Sequence, residues 1–338
     1  MLLAAVQYGF TFLLSVGLAL YLTPFIRSGA LSFGVLDRPD GVLKRHREPV
    51  PYLGGVAVYL AFLLTLSLVF TFSAALLGLL LGGTMLAMLG LFDDLRVIAP
   101  RLKLAGQLLA AWVLLRSHIS IQVVSLPETV TVPLTVLWLV GITNAVNILD
   151  VADGLATGVA AIAAMGLFVV AMIGGDQVLA VTALALAGSL LGFWRYNRPP
   201  AQIFLGDTGS LFVGFMLAAL ALLGAYTRYN EAALLAPVCI LALPILETTL
   251  VVIARLGGGR SPFRGSSDHM ALRLGARGWS PRRVLLFAYG ASLLATIAGI
   301  AMVLVDLGTA LWIAGSVGAL FAGLLLWLLL ACPAPPAR

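Results

Sequence analysis

The sequence is dominated by long apolar stretches, each of about 16 to 24 residues, which limit the folds open to the chain. Hydrophobic residues make up 61% of the 338 residues, and the mean hydropathy is +1.08. A water-soluble domain cannot hide that much apolar surface in a single core, so most of the chain must lie in lipid. We therefore expect an integral membrane protein.

The apolar stretches predict an all-α polytopic fold with about eleven transmembrane helices in one membrane domain over residues 1–338. The stretches lie near residues 3–25, 52–72, 74–92, 104–118, 131–149, 155–173, 178–194, 211–226, 232–254, 284–305 and 311–330. The first has no basic n-region or evident cleavage site, which favours a retained span over a signal peptide. Polar alternation over residues 119–133 predicts a small hairpin.

The distribution of positive charge predicts the orientation of these spans. If the spans alternate, every Lys and Arg except Arg116 and Arg228 falls on one side of the membrane. Lys and Arg are retained on the cytoplasmic side, so the N-terminus is predicted outside and the C-terminus in the cytoplasm of a plasma (inner) membrane. Anionic lipid and phosphate-bearing substrates suffice to explain the net charge of +6, without nucleic acid.

Three acidic clusters fall at span ends on this cytoplasmic side. They are Phe92-Asp93-Asp94, the segment 144–154, and Gly206-Asp207-Thr208-Gly209-Ser210. Charged residues are only 10% of the chain, and carboxylates at a bilayer edge are costly. Their gathering at one face predicts a cation-dependent site there.

The pair Asp93 and Asp94 ends the third span, where the helix dipole and their mutual repulsion are both unfavourable. One interpretation is a solvated loop in which Arg96, Arg101 and Lys103 neutralise the pair. The other is a site for a divalent cation or a proton-abstracting carboxylate, with the basic loop holding phosphate.

The segment 144–154 is rich in oxygen ligands. Asn144 and Asn147 are three residues apart on the last turn of the fifth span, and Asp150 continues the same face. Hard oxygen ligands of this kind suit magnesium. The alternative is that the asparagines cap the fifth helix while Asp153 and Gly154 cap the sixth.

Asp207 stands at the start of the eighth span, before Thr208, Gly209 and Ser210, a pattern typical of an N-cap. The same helix N-terminus directs backbone N–H groups at any neighbouring anion. A capping role and a phosphate site are therefore compatible.

The long inner loop after the ninth span predicts a short helix capped by Ser267 or Asp268. On that helix His269 and Arg273 are four residues apart and share one side, which suits a diphosphate. The alternative is an ordinary basic loop with a surface histidine.

Two further features have a structural and a functional interpretation. The pair Gly54 and Gly55 permits close approach of a ligand or of a helix, and helix packing is favoured. Glu247, near the inner end of the ninth span, is either a buried partner of Arg255 or part of the site.

The order of these motifs over residues 34–283 resembles the polyprenyl-phosphate N-acetylhexosamine-1-phosphate transferases. The matching motifs are Pro51-Tyr52-Leu53-Gly54-Gly55, Gly90-Leu91-Phe92-Asp93-Asp94, Asn144-Ala145-Val146-Asn147-Ile148-Leu149-Asp150, Asp153-Gly154-Leu155, Phe204-Leu205-Gly206-Asp207-Thr208-Gly209-Ser210 and the basic loop with His269. The resemblance implies transfer of N-acetylhexosamine 1-phosphate, most often GlcNAc-1-phosphate, from a UDP-sugar to polyprenyl (undecaprenyl) phosphate. UMP is released, and the product serves cell-wall or surface polysaccharide synthesis. Mg²⁺, or Mn²⁺, is the implied cofactor, and a homodimer is implied as well.

The resemblance also implies roles for individual residues. Asp207 would ligate the metal with Asn147 as second ligand, and Asp93 and Asp94 would serve the lipid phosphate, one of them as base. The implied substrate-binding residues are Asn144, Asp150 and Asp153 in the nucleotide pocket, His269 and Arg273 at the sugar diphosphate, and the loop residues Lys44 and Arg264.

Two departures from the family pattern bear on the alternatives. Val151 follows Asp150 where a glycine is common, and His269 is alone in a loop that often carries several histidines. The second departure argues against the branch that transfers phospho-N-acetylmuramoyl-pentapeptide. A secondary transporter is the alternative of another class, but its polar residues would lie near the midplane in repeated halves. Here they gather at one interface.

Overall fold

The computed structural model of the chain describes residues 2–37, 49–69, 74–121, 126–224, 226, 230–261 and 267–332, and these are almost entirely helical. Helices satisfy their own backbone polar groups, as lipid requires. In chain order the helices are α1 (Leu2–Ser32), α2 (Gly54–Val69), α3 (Ala74–Leu95), α4 (Pro100–Arg116), α5 (Glu128–Leu149), α6 (Leu155–Gly174), α7 (Gln177–Asn197), α8 (Gly206–Leu223), α9 (Ala236–Ile240), α10 (Ala242–Gly257), α11 (Met270–Ala276), α12 (Pro281–Leu304) and α13 (Leu307–Ala331). Two short antiparallel strands, β1 (Leu36–Asp37) and β2 (Val50–Pro51), pair beside α2.

The predicted polytopic all-α fold is confirmed, and among the described residues each predicted apolar stretch overlaps at least one helix. Within the described part of the chain, eight helices are long and apolar enough to cross a membrane, or nine if one bent pair forms a single span. The helix α2 is apolar but has only 16 residues. The count of eleven spans and their orientation therefore stay predictions.

The predicted hairpin between the fourth and fifth spans is wrong over residues 128–133, which form the first turns of α5. The alternating Thr and Val residues there run directly into the apolar stretch, so the helix extends over them and keeps its backbone bonds internal. Residues 122–125 of that stretch lie outside the described residues.

The ninth apolar stretch is broken rather than continuous. A 3-10 turn, Glu231–Leu235, and α9 lead into α10 with a bend of 68°. Proline explains the break, because Pro244 has no N–H to bond the carbonyl of Ile240. The second half, α10, therefore runs in a different direction from the first.

Helix α8 is the centre of the bundle. Of its apolar window, 83% is buried inside the protein, compared with 6% for α13. It packs against α2, α3 and α5. Residues at its N-terminus are therefore enclosed by other helices at one end of the bundle.

Two glycines let neighbouring helices reach the backbone of α8. A Cβ at Gly55 would lie 2.0 Å from the backbone nitrogen of Gly209, and one at Gly90 would lie 2.2 Å from the carbonyl oxygen of Asp207. Only a residue without a side chain fits at such separations. This confirms helix packing for Gly55 and places the ends of α2 and α3 against the first turn of α8.

Candidate functional site

The first turn of α8 is capped by a carboxylate from another helix. Asp94, near the end of α3, accepts hydrogen bonds from the backbone N–H groups of Asp207 at 2.8 Å and Thr208 at 3.0 Å. The hydroxyl of Thr208 donates to the same carboxylate at 2.6 Å. Asp94 thus satisfies two of the unpaired donors of a helix N-terminus and complements its positive dipole end.

This arrangement overturns two of the structural interpretations of the sequence. Asp94 is half-buried against backbone donors, so it does not belong to a solvated loop. Asp207 is not the N-cap, because that position is Leu205 and no side chain of α8 caps the helix itself. Gly206 has a φ of 71°, and a Cβ there would lie 2.7 Å from Oδ2 of Asp94. The side chain of Asp207 is therefore available to other partners.

Asp207 joins three helices through its carboxylate. The amide of Asn147, on α5, donates to Oδ1 of Asp207 at 2.8 Å, and also to Oγ of Ser210 at 2.8 Å. The ammonium of Lys103, on α4, pairs with Oδ2 of Asp207. Residues from all three acidic clusters therefore meet at the start of α8, as predicted.

Lys103 bridges the first and third acidic clusters. Its ammonium lies 2.7 Å from Oδ2 of Asp93 and contacts Asp207 as well. Asp93 also accepts the backbone N–H of Ile98 at 2.8 Å. The sequence points to Lys103 only as a loop counter-charge. Its spacing of four residues from Gln107, on one face of α4, is the signal that could have placed it in the site.

Asn144 faces α4 rather than Asp207. Its amide nitrogen donates to Oε1 of Gln107 at 2.7 Å, and the amide of Gln107 donates back at 3.3 Å. The same nitrogen of Asn144 also donates to the carbonyl of Val140 at 2.8 Å. Neither Asn144 nor Asn147 caps α5, so the capping alternative is wrong. Only Asn147 of the two contacts the central carboxylate.

Asp150 and Asp153 lie beside the same helix start. Asp150 is the C-cap residue of α5, and the backbone N–H of Gly206 bonds to it. Burial raises the pKa of Asp150, and the charges of Asp207, Asp94 and Asp153 raise it further. The structure thus adds Asp150 to the carboxylate cluster.

The capping alternative for α6 is confirmed for Gly154 and wrong for Asp153. Gly154 is the N-cap residue of that helix, in a left-handed conformation with φ 74°. Oδ2 of Asp153 instead accepts the backbone N–H of Ala201 at 2.9 Å. Asp153 therefore ties the α5–α6 connection to the segment that leads into α8.

The segment that leads into α11 places His269 against Glu247. Nδ1 of His269 lies 3.0 Å from Oε1 of Glu247, so Glu247 is a buried partner of His269. The two alternatives for Glu247, a partner of Arg255 or a member of the site, stay predictions. The expectation that Ser267 or Asp268 is the cap of the short helix is wrong, since His269 is the N-cap residue of α11 and its own side chain makes no capping bond.

Arg273 is tied into the protein rather than facing the same way as His269. Its guanidinium donates to the carbonyl of Asp268 at 2.8 Å and to the carbonyls of Leu328 at 3.1 Å and Cys332 at 2.8 Å. The side chain is only 6% exposed. This geometry gives Arg273 a structural role between α11 and α13, and its predicted contact with a diphosphate stays a prediction.

Two further predicted substrate-binding residues, Lys44 and Arg264, lie outside the described residues.

The donor set around Asp207 fits a magnesium ion. Among the residues that the structure describes, no group of three or more His, Cys, Asp or Glu side chains is placed to hold a metal. Magnesium does not require one, because it commonly takes one or two protein carboxylates and completes its shell with water and substrate phosphate. Asp207 supplies a carboxylate and Asn147 an amide within hydrogen-bonding distance of it. The ammonium of Lys103 on the same carboxylate marks it as a site for positive charge.

A family model described as glycosyl transferase family 4 matches residues 76–225, which include the first two acidic clusters and Asp207. The chain is 33% identical over 288 residues to a probable undecaprenyl-phosphate N-acetylglucosaminyl 1-phosphate transferase of Bacillus subtilis (strain 168). That match covers 82% of this chain and 80% of the relative.

Two other relatives are similar over most of the chain. A decaprenyl-phosphate N-acetylglucosaminephosphotransferase of Mycobacterium leprae is 34% identical, covering 72% of this chain and 71% of the relative. A phospho-N-acetylmuramoyl-pentapeptide-transferase of Listeria monocytogenes is 29% identical, covering 86% of this chain and 94% of the relative.

Proposed function

The chain belongs to the polyprenyl-phosphate N-acetylhexosamine-1-phosphate transferases, and on that premise we propose its reaction and its site. The protein transfers N-acetylglucosamine 1-phosphate from UDP-N-acetylglucosamine to a polyprenyl phosphate such as undecaprenyl phosphate. UMP leaves, and the lipid-linked diphosphosugar is a precursor for cell-wall or surface polysaccharide.

The observation that carries this proposal is the convergence on the carboxylate of Asp207. Asn147 and Lys103 both contact it, and Asp94 fixes the backbone of its helix turn. A nucleotide sugar and a lipid phosphate are both anions, so their reaction needs positive charge and fixed dipoles in a water-poor site. The start of α8, enclosed by helices, offers these together.

The bonds made and broken follow from the substrates. An oxygen of the lipid phosphate attacks the phosphorus that carries the sugar, and a new P–O–P linkage forms. The bond from that phosphorus to the oxygen of the uridine phosphate breaks, and UMP departs with that oxygen. One P–O–P linkage breaks in the nucleotide sugar and one forms in the lipid product. The reaction therefore requires no oxidant and no nucleotide hydrolysis.

Asp207 and Asn147 are the residues that would hold Mg²⁺, or Mn²⁺, in this site. The cation would offset the negative charge of the two phosphate groups that must approach each other.

Asp93 and Asp94 have different roles in this proposal, although the resemblance assigns both to the lipid phosphate. Both carboxylate oxygens of Asp94 accept hydrogen bonds from the first turn of α8. Asp94 is therefore the positioning residue. Asp93 is held by Lys103 and by a backbone N–H at Ile98, and it is the member we assign to the lipid phosphate. The ammonium of Lys103 lies between the carboxylates of Asp93 and Asp207, where it is placed to contact a phosphate.

The location of the reaction follows from the distribution of charge. We place the site at the cytoplasmic face of the plasma membrane, where Lys and Arg gather and where a nucleotide sugar is available. The apolar helices around it suit the isoprenoid tail. A homodimer, implied by the resemblance, remains part of this proposal.

Purified protein incubated with polyprenyl phosphate and a panel of UDP-sugars tests the proposal. We expect UMP release that depends on both substrates and on added Mg²⁺, with UDP-N-acetylglucosamine as the preferred donor. Preference for UDP-N-acetylmuramoyl-pentapeptide would instead assign the chain to that branch. Absence of UMP with every donor would refute the reaction.

A further inference from the structure

Glu247 carries a buried carboxylate that the site described so far does not use. It lies on α10 and is 0% exposed. Oε1 is 3.0 Å from Nδ1 of His269, and both carboxylate oxygens lie 3.2 Å from the backbone nitrogen of Met270. A buried carboxylate is tolerated where hydrogen bonds compensate its lost hydration, and these contacts supply them.

We propose that Glu247 is a positioning residue for phosphate recognition: it holds the hydrogen of His269 on Nδ1 and thereby directs Nε2 to the sugar diphosphate. The inference deepens the proposed function and rests on it for the identity of the ligand. Nothing in the sequence pairs these two residues.

The hydrogen-bonding capacities of the two side chains fix the direction of the contact. In this proposal the carboxylate of Glu247 is ionised and can only accept, so Nδ1 donates. The two imidazole nitrogens are distinct, and the partner of one sets the role of the other. Among the described residues the ring bonds only to Glu247. Nε2 is therefore the nitrogen left for a ligand.

The backbone around His269 supports the same role. His269 is the N-cap residue of α11, with φ −65° and ψ 144°, so its ring is not aligned by the helix that follows. Glu247 also accepts from Met270, the first residue of that helix. One carboxylate thus fixes both the ring and the start of α11.

Neighbouring charges do not substitute for Glu247. Asp268 directs its carboxylate to Arg260 at 2.9 Å and to Arg273 at 3.3 Å. Glu247 itself lies on α10, which packs against α5, the helix that carries Asn147. The helix that carries Glu247 therefore packs directly against the helix whose Asn147 contacts Asp207.

The first test locates the hydrogen by nitrogen NMR on the full-length protein labelled at histidine. The chain has three histidines, so the signal of His269 is assigned by its loss in His269→Gln. We expect a protonated Nδ1 in the wild type. In Glu247→Gln the amide oxygen still accepts from Met270 and the amide nitrogen faces Nδ1, so the hydrogen should move to Nε2. A wild type with unprotonated Nδ1, or no change in Glu247→Gln, would overturn the inference.

The second test separates positioning from folding by steady-state kinetics. We expect Glu247→Gln to raise the KM for UDP-N-acetylglucosamine about tenfold, with a smaller change in kcat and an unchanged KM for polyprenyl phosphate. Glu247→Asp keeps an acceptor-only carboxylate and should recover part of the KM. Thr249→Val, which removes a hydroxyl bonded to the carbonyl of Ile245 on the same helix, is the matched control.

A double-mutant cycle shows whether Glu247 acts through His269. In the His269→Gln background, Glu247→Gln should add no further rise in KM. An equal additional rise, or a fall in kcat alone, would assign Glu247 to general stability. If Glu247→Gln does not fold, the NMR spectra of the wild type and Glu247→Asp decide the case. A wild type that releases no UMP would refute the proposed reaction, while NMR would still decide the Glu247–His269 contact.

Discussion

The carboxylate of Asp94 accepts both the backbone N–H and the hydroxyl of Thr208, a residue 114 positions further along the chain. The end of α3 and the start of α8 are therefore one structural unit. An acidic residue that is unfavourable at the C-terminal end of its own helix is stabilised by the positive N-terminal end of another. The same contact presents the side chain of Asp207 to α4 and α5.

Asp94→Asn tests this cross-helix cap. An asparagine can replace only one acceptor oxygen, so one of the donors on α8 loses its partner, at a cost of about 1–3 kcal/mol. We expect a lower melting temperature in detergent and a large loss of UMP release, with nucleotide binding largely retained. Thermal unfolding followed by tryptophan fluorescence measures the melting temperature. Calorimetric titration with UDP-sugar measures nucleotide binding.

Asp306→Asn is the matched control for Asp94→Asn. Asp306 makes the same pair of contacts to Thr309, through N–H at 3.1 Å and hydroxyl at 2.6 Å, but at the exposed start of α13. We expect a smaller change in stability and full activity. If the two substitutions change stability and activity equally, the Asp94 cap contributes no more to either than an ordinary surface cap.

Gly90→Ala tests the close approach of α3 to α8. The added Cβ would overlap the carbonyl of Asp207 at 2.2 Å, and backbone cannot move aside as a side chain does. Overpacking of this kind costs about 1–3 kcal/mol, and it should displace the Asp207 turn. Gly141→Ala, on α5 with nothing within 4 Å of its Cβ, is the control. Wild-type activity and stability in Gly90→Ala would contradict the helix contact.

The positions of the helices could be predicted from the sequence because hydropathy reports directly on transfer into lipid. The meeting of Asp94, Asn147 and Asp207 could also be predicted, since the predicted alternation of the spans places these residues at one membrane face. Hydropathy does not report which face of one helix meets another. The capping of α8 by Asp94 and the contact of Lys103 with Asp207 depend on that packing.

The remaining differences have similar causes. Asp207 has the sequence pattern of an N-cap, but Asp94 already occupies the donors of that helix turn. The pairing of Glu247 with His269 joins a helix to a loop 22 residues later and leaves no periodic signal. Arg273 shares a helix face with His269 by spacing, yet its guanidinium is held by carbonyls at the end of α13.

Asp207→Ala should abolish magnesium-dependent UMP release. The substitution removes the carboxylate that Asn147 and Lys103 contact, and with it the proposed metal ligand. Chelation of the wild type with EDTA should have the same effect and be reversed by Mg²⁺, whereas Mg²⁺ should not restore the variant. Asp176→Ala, which removes the N-cap of α7, is the control for a lost carboxylate elsewhere. Normal turnover of Asp207→Ala would refute the metal assignment.

Lys103→Met should increase the response of the protein to Mg²⁺. In the wild type the ammonium already contacts Asp207, so a cation must displace it or share the carboxylate. Without it, Mg²⁺ binding should raise the melting temperature more than in the wild type, because a ligand stabilises the folded state according to its affinity.

Turnover of Lys103→Met should nevertheless fall, since the ammonium no longer faces the phosphates. Arg101→Met removes a positive charge from an exposed position of the same helix and should behave as the wild type. If Mg²⁺ raises the melting temperature of Lys103→Met no more than that of the wild type, Lys103 and Mg²⁺ do not compete for Asp207.

Asp150→Asn should flatten the dependence of stability on pH in metal-free protein. Burial and the neighbouring carboxylates raise the pKa of Asp150, so the folded state holds its proton more tightly than the unfolded state does. Stability from this group is complete below the ordinary carboxyl pKa of about 3.9 and is lost as pH rises through the raised value. Melting temperatures in EDTA should therefore fall with rising pH in the wild type and fall less in Asp150→Asn. Asp176→Asn, which leaves Asp150 in place, should keep the wild-type slope. If the melting temperatures of the wild type and Asp150→Asn depend on pH in the same way, Asp150 is ionised in the folded protein over the whole pH range measured.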